Sequence, residues 1–307
     1  MHKNKEKTEK QYIVPPSRFG FVAVCGRPNV GKSSIVNRIV GTDLAAVTPK
    51  AQTTRHRISA IYTVPGVQMV FLDAPGIHKP RNLLNQTMVL AAERAISDAD
   101  VVLMVTDSVR GAVQKDQEIC RLLRGSSKKL VLALNKIDLV RPSAADAFEE
   151  SLKDSVPFEA NVRVSAVTGQ GMDVLLKTLT DMMPPGPPMF PEDDISDLPV
   201  RFFVGEIIRE QLLNVTGQEI PYASAVAVEE FREGAEIIYI RADIHVERDS
   251  QKKIVIGRGG EMIKRIGIAS RMRLESFLDS KVHLELFVKV SPHWTRDPQK
   301  MKEFGYS

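Results

Sequence analysis

Hydrophobic residues in the first half of the chain come in short runs, most of which lack the alternation of a half-exposed sheet. Phe19–Cys25, Val67–Leu72, Val101–Thr106, Leu130–Leu134 and Val162–Val164 are each of strand length, and longer amphipathic stretches separate them. A run that is apolar on both sides of the pleat predicts a strand covered on both faces, and helix-length crossovers predict parallel pairing. The expected fold of 19–183 is therefore an α/β domain, a mostly parallel sheet with helices on both faces. Sites in such folds form at the carboxyl ends of the strands.

The texture then changes. Between Pro184 and Pro199 six prolines fall among sixteen positions, with acidic residues between them. Such a segment sustains neither a helix nor an internal strand, and 184–200 reads as a semi-stiff linker. Beyond it come a helix-like stretch (Gly205–Val215), two strand-like runs (Ala223–Glu229 and Glu236–Val246), a glycine-interrupted helical segment (Lys252–Leu278) and an alternating strand (Lys281–Val290). These predict a smaller α+β domain over 201–307. At the other end, 1–18 is charged, lacks the apolar core of a secretory leader and reads as a flexible basic tail.

Length and composition bound the function. The chain has 307 residues, about twice a typical domain, so two domains are the prior. Hydrophobic residues at 43% and charged residues at 26% are ordinary for a globular protein. The two cysteines, Cys25 and Cys120, make no disulfide framework and no metal-ligand spacing, which suggests a reducing, cytoplasmic setting. No apolar run approaches the ~20 residues of a membrane span. A net charge of +4 says little by itself. Within 248–273, however, eight basic residues face two acidic ones, net +6.

The run Phe19–Cys25 leads into Gly26-Arg27-Pro28-Asn29-Val30-Gly31-Lys32-Ser33, which fits GxxxxGK[ST] at every fixed position. Gly26 and Gly31 allow the tight turn that points successive backbone N–H groups into one concavity. Lys32 is placed to reach the β- and γ-phosphates of a nucleotide, and the Ser33 hydroxyl to ligate Mg²⁺. The helix expected to start at Lys32 adds its dipole to the anion site.

Three more segments close predicted strands and choose the base. After Val67–Leu72 comes Asp73-Ala74-Pro75-Gly76, with Asp73 placed to hold Mg²⁺ and the Gly76 N–H to meet a γ-phosphate. Asn135-Lys136-Ile137-Asp138 follows Leu130–Leu134. The Asp138 carboxylate can accept two hydrogen bonds from the guanine edge, which adenine cannot donate; Asn135 ties the loop to the phosphate loop, and Lys136 packs over the base. Ser165-Ala166-Val167 follows Val162–Val164, with the Ala166 N–H placed for the guanine oxygen. A site built to pair specific base hydrogens rejects the wrong base by about 10⁴-fold. The expected ligands are GTP and GDP with Mg²⁺. Cys25 reads as a small apolar filler, and His56 and His78 as solvent-exposed loop histidines.

Taken together, GRPNVGKSS, KAQTTRHRI and DAPGIHKP resemble the Era family of bacterial GTPases, and the resemblance covers nearly the whole chain from Phe19. It implies that the loop before Asp73 is the first switch, with Thr54 rather than Thr53 closing onto Mg²⁺ and the γ-phosphate. The expected catalytic group is thus Lys32, Thr54, Gly76 and Asn29, with Ser33, Thr54 and Asp73 on the metal. Where Ras-like enzymes place a water-orienting Gln, this chain has Ile77, which implies slow intrinsic hydrolysis. Related GTPases with a hydrophobic residue there use an asparagine to bind K⁺; Asn29 either does so or serves loop geometry alone.

In the second half, Gly257-Arg258-Gly259-Gly260 falls between two helix-like stretches. The order helix, strand, strand, helix, GxxG, helix, strand is that of a prokaryotic-type KH domain, whose glycine loop lets a nucleic-acid backbone approach and clamps about four unpaired nucleotides. Lys253, Arg258, Lys264 and Arg265 are the expected phosphate contacts. Trp294 is expected to pack on this domain next to RNA.

These modules predict a nucleotide-gated binder of single-stranded RNA, with GTP ordering 42–56 and 73–85. Similarity to the Era family further implies a role in 30S ribosomal subunit biogenesis, with the KH domain holding the 3′ end of the small-subunit rRNA. It also implies a monomer that is cytoplasmic, with a fraction loosely associated at the inner face of the cell membrane. The rivals are a signalling GTPase whose second domain docks a protein, and a passive RNA binder that holds GTP without turning it over.

Overall fold

The structure is a computed structural model, and it describes residues 17–48, 50, 53–77, 80, 82–107, 109, 114–216, 220 and 224–306. The basic tail, apart from Ser17 and Arg18, lies outside the described residues, as does His78.

The first unit runs β1 (Arg18–Cys25), α1 (Lys32–Val40), β2 (Ile58–Val64), β3 (Val67–Asp73), α2 (Leu83–Asp98), β4 (Val101–Asp107), α3 (Gln114–Leu123), β5 (Lys129–Asn135), α4 (Pro142–Leu152), β6 (Ala160–Arg163) and α5 (Met172–Met182). Its sheet has the order β2-β3-β1-β4-β5-β6. Only β2 runs antiparallel to its neighbour. The unbroken apolar runs are explained by two separate cores. One face packs Ile35, Val36 and Ile39 of α1 and Leu175 and Leu179 of α5 on the sheet. The opposite face carries Ala92, Ala95 and Ile96 of α2, Ile119 and Leu123 of α3, and Phe148 and Leu152 of α4.

Strand β2 was absent from the apolar runs because Ser59, Tyr62 and Thr63 interrupt it. It is an edge strand, tolerant of polar positions, and joins β3 through Pro65 and Gly66. Gly66 takes a φ of 81°, the left-handed position that follows proline in a type II turn.

The second unit comprises α6 (Val200–Val215), β7 (Ser224–Glu233), β8 (Ile237–Val246), α7 (Asp249–Ile256), one tight turn at Arg258–Gly260, α8 (Glu261–Leu278) and β9 (Lys281–Val290). Strands β7 and β8 pair antiparallel, β8 and β9 parallel. This is the element order expected from the sequence. Helix α6 starts five residues earlier than the pattern suggested, immediately after Pro199, where a proline ahead of the first turn costs no hydrogen bond. The chain ends in a turn at Trp294–Arg296 and α9 (Pro298–Glu303). Trp294 is fully buried with Met301 and Tyr306 against Leu84 and Met88 of α2, so the tail packs on both units.

The proline-rich connection is not a free tether. The Ile61 N–H donates to Ile195 O, Gln68 Oε1 accepts from the N–H groups of Met189 and Phe190, and Ser59 bonds Asp197. The prolines keep the segment extended along the edge strand, where it satisfies backbone groups that an open edge would expose.

Candidate functional site

Five strand ends define one rim. The register pairs Val24 with Asp73, and Asp107 with Asn135, so the polar residues closing β3, β4 and β5 align where β1 enters its glycine loop. That loop has φ values of 144° at Gly26, 66° at Asn29 and 98° at Gly31. A Cβ at Gly26 would stand 2.2 Å from Val105 O, and one at Gly31 2.1 Å from Asn135 Nδ2. Both glycines are therefore required by close approach as well as by backbone conformation.

Helix α1 begins without a side-chain cap and with no acidic residue in its first turn, leaving its amide end to an outside anion. Lys32, 6% exposed, curls over the loop and donates to Gly26 O at 3.3 Å and Arg27 O at 3.2 Å. Burial lowers its ammonium pKa, and Asp73 opposes that fall. Val30 is fully buried.

Ser33, Thr54 and Asp73 converge. Ser33 Oγ lies 3.0 Å from Thr54 Oγ1 and donates to Asp73 Oδ2 at 2.7 Å. Asp73 is fully buried, and its Oδ1 has no hydrogen-bond partner. Burial raises its carboxyl pKa; Lys32 and the hydroxyls of Ser33 and Thr54 hold it down. Two hydroxyls and an unsatisfied buried carboxylate oxygen are hard oxygen donors, a set that fits Mg²⁺ completed by phosphate and water. Thr53 faces elsewhere: its hydroxyl lies 2.7 Å from Thr48 Oγ1 and donates to Lys50 O.

Gly76 lies directly on the phosphate loop, where a Cβ would come 2.9 Å from Pro28 N. Ile77 donates its N–H to Gly26 O at 3.3 Å, and its half-buried side chain packs on the apolar core. Pro28, Lys32, Ser33, Thr54, Gly76 and Lys136 all line one cavity of about 560 Å³, together with Ala46–Thr48.

Of the base-side residues, Asn135 donates to Val30 O at 2.8 Å, which is the expected tie to the phosphate loop. Lys136, at φ 62°, donates to Asn29 O at 3.0 Å. Ile137 donates its N–H to Val164 O. Asp138 is exposed and does not line the cavity. The Ala166 N–H, expected to be open for guanine, donates to Asn135 Oδ1 at 3.1 Å, because the buried amide reaches across to the neighbouring loop. Ser165 is buried and accepts from the Thr168 N–H, while Val167 is 78% exposed.

Sequence reasoning missed a buried polar chain beside this rim. Arg27 Nε donates to both Asp116 oxygens at 3.0 and 3.1 Å, and its Nη2 donates to Asp107 O. Asp107 in turn pairs with Lys136. Its available signal was its place: an acidic residue closing an otherwise apolar strand, as Asp73 does. Cys25 is buried with its thiol pKa pushed up to about 12 by burial, the inert filler expected. His56 is no solvent-exposed histidine: it is half-buried and stacked on Tyr306 at 4.4 Å.

In the second unit Gly257, Gly259 and Gly260 take φ values of 76°, 61° and 82°. A Cβ at Gly257 would meet Met262 Cβ at 2.6 Å, whereas Gly259 and Gly260 face open space. Lys253, Arg258, Lys264 and Arg265 are exposed around this loop. Beside it, a groove of about 380 Å³ runs between Ile263, Lys264, Gly267 and Arg271 of α8 and Val282–Leu284 and Leu286 of β9. A glycine loop with exposed cations, beside a groove lined by both apolar and basic side chains, has the features of a single-strand clamp.

Comparisons with known proteins follow the same division. The family described as 50S ribosome-binding GTPase matches residues 21–136, and the KH domain family residues 219–295. The GTPase Era of Geotalea uraniireducens is 45% identical over 300 residues, covering 97% of this chain and 99% of the relative. The GTPase Era of Thermotoga maritima is 42% identical over 279 residues, 90% of this chain and 93% of the relative. Among solved structures, an Aquifex aeolicus Era variant bound to GDP·AlF4⁻ superposes with a TM-score of 0.90 at 37% identity, covering 94% of this chain and 99% of that one. An Era complex with MgGDPNP and nucleotides 1506–1542 of 16S ribosomal RNA gives 0.90 and 37%, over 95% and 99%.

Proposed function

We propose, from the premise that the chain belongs to the Era family of GTPases, a switch that hydrolyses GTP and holds the 3′ end of small-subunit rRNA during 30S subunit biogenesis. The observation that carries the nucleotide reading is the convergence of Ser33, Thr54 and Asp73 beside Lys32.

In this reading the N–H groups of Gly26–Ser33 and the Lys32 ammonium bind the phosphates, and Ser33, Thr54 and Asp73 hold Mg²⁺. When bound, the ion neutralises charge on the β- and γ-phosphates. The Gly76 N–H, within the Asp73-Ala74-Pro75-Gly76-Ile77 loop, donates to the γ-phosphate. Asp138 accepts from the guanine edge over Lys136 and Ile137, and the Ala166 N–H, in the Ser165–Val167 turn, is shared between Asn135 and the guanine oxygen. Ile77 has no group to orient water, so hydrolysis leans on backbone donors; Asn29 would hold a K⁺ that supplies positive charge at the phosphates, or else serves loop geometry alone.

The RNA reading follows from the second unit. Gly257–Gly260 with Lys253, Arg258, Lys264 and Arg265 contacts the phosphates, and unpaired bases lie in the α8–β9 groove. The relative captured with 16S RNA supports this partner. We further propose a cytoplasmic monomer with a fraction loosely held at the membrane surface. No helix among the described residues is long and apolar enough to cross a membrane.

Crosslinking of RNA to the full chain, with GDP and with a non-hydrolysable GTP analogue, tests the whole. Nucleotide-dependent recovery of rRNA 3′ ends is expected. Recovery of protein partners with no RNA would replace this reading by the signalling one.

A further inference from the structure

The peptide that carries Thr54 is held from its far side by the second unit. Arg209 of α6 is 1% exposed. Its Nε donates to Glu206 Oε1 at 2.8 Å, and its Nη2 donates to Glu206 Oε2 and to the Thr53 carbonyl. That carbonyl and the Thr54 N–H belong to one planar peptide. Fixing the oxygen therefore fixes the plane from which the Thr54 side chain leaves toward Ser33.

Neighbouring contacts secure the rest of the loop. Arg273 pairs with Asp43 at 3.0 Å, the Val47 N–H donates to Glu210, Lys50 donates to the carbonyls of Leu213 and Thr216, and Arg55 donates to Ser224 O. These bind the loop to α6, α8 and β7 on both sides of the Thr53–Thr54 peptide. Of this set, Arg209 alone reaches the Thr53–Thr54 peptide. A charge-assisted bond from a planar fork aligned by a carboxylate gives the direction as well as the strength this position needs.

We propose that Arg209, aligned by Glu206, is a positioning residue for GTP hydrolysis, supplied to the first switch by the second domain. The proposal rests on Thr54 being the switch threonine. Hydrolysis competence then depends on α6 staying docked: moving the second domain away withdraws the guanidinium and loosens the threonine. A merely structural pair would affect melting but leave the metal dependence of hydrolysis alone.

The test uses the full chain and single-turnover GTP hydrolysis across a Mg²⁺ titration. Arg209→Lys keeps a positive charge beside Glu206 but loses the fork, and Glu206→Gln, which keeps the arginine but loosens its alignment, gives a second reading should the lysine variant not fold. Each is expected to slow hydrolysis about tenfold or more and to raise the Mg²⁺ needed for half-maximal rate, while GDP affinity in EDTA changes less than about twofold. Placed on Thr54→Ala, Arg209→Lys is expected to add no further loss, since both act on one element. Parental rate and Mg²⁺ midpoint in folded Arg209→Lys, or losses that add in full, overturn the proposal. Parental hydrolysis by Thr54→Ala instead overturns the switch assignment beneath it.

Discussion

Lys136 Nζ and Asp107 Oδ2 stand 2.8 Å apart, joining the loops that follow β4 and β5. Burial pushes the Asp107 carboxyl pKa up, but the Lys136 hydrogen bond and the Val109 N–H outweigh it and hold the group below its ordinary range. Lys136 also bonds Asn29 O, so one cation ties three loops of the rim. Asp107→Asn keeps the shape and removes the charge. The expected outcome is about tenfold weaker GDP binding, roughly the worth of one charge-assisted bond, with little change in melting temperature. Titration with a fluorescent GDP analogue measures it.

In the proposed reading, Asp138 selects the base through acceptor geometry. An amide in its place presents one N–H donor where guanine also presents a donor, so Asp138→Asn should weaken GTP binding by about 10²-fold or more. Xanthine carries an oxygen at that position and pairs with the new donor. Competition between GTP and xanthosine triphosphate should therefore reverse its order in the variant.

The three loop glycines are not equivalent. Gly257→Ala drives a Cβ into Met262 and should lower the melting temperature. A Cβ at Gly259 meets no neighbour, and asparagine tolerates the left-handed region, so Gly259→Asn should melt near the parent yet bind single-stranded RNA more weakly. Lys264→Gln should reduce the slope of log affinity against log salt by about 0.7, the loss of one single-strand phosphate contact. Filter binding across a salt series checks both.

Acid should loosen the junction between the two units. His56 stacks on Tyr306 and packs edge-on to Phe202 at 5.2 Å, and burial lowers its pKa to about 4, with Glu206 opposing. A histidine that is harder to protonate folded than unfolded binds fewer protons in the native state. Stability is therefore intact above the ordinary histidine value of about 6.5 and declines as pH falls from there toward 4, by at most a few kcal/mol. His56→Phe keeps the stacked ring and should flatten melting temperature against pH over that window, read by calorimetry.

Potassium gives the simplest readout of the Asn29 assignment. Turnover should be faster in K⁺ than in Na⁺ at matched ionic strength, and Asn29→Ala should remove the difference. Equal rates in the two salts assign Asn29, with its left-handed φ of 66°, to loop geometry alone.

The sequence made the rim legible because each motif residue sits where an unbroken apolar run stops, and the parallel register aligns those ends. It failed where the signal was not a run. The edge strand β2 hides behind Ser59, Tyr62 and Thr63, and Asp107 belongs to no short motif. The junction between the two units was out of reach for a different reason. Arg209 meets the Thr53 carbonyl across 156 positions, and Arg55 meets Ser224 O across 169. Nothing in local periodicity distinguishes those arginines from solvated ones. Trp294 was expected to pack on the second domain; its packing against Leu84 and Met88 of α2 became visible only in three dimensions.

The proline-rich segment, tied along the edge strand as far as Asp197, leaves only Leu198 and Pro199 before α6 begins. A tether that short behaves as a pivot. The RNA-holding unit cannot diffuse away from the nucleotide unit; it can only swing, and its effective concentration at the first switch stays high whatever the nucleotide. In the proposed reading, RNA held at Gly257–Gly260 would be carried along an arc of fixed radius whenever the junction opens.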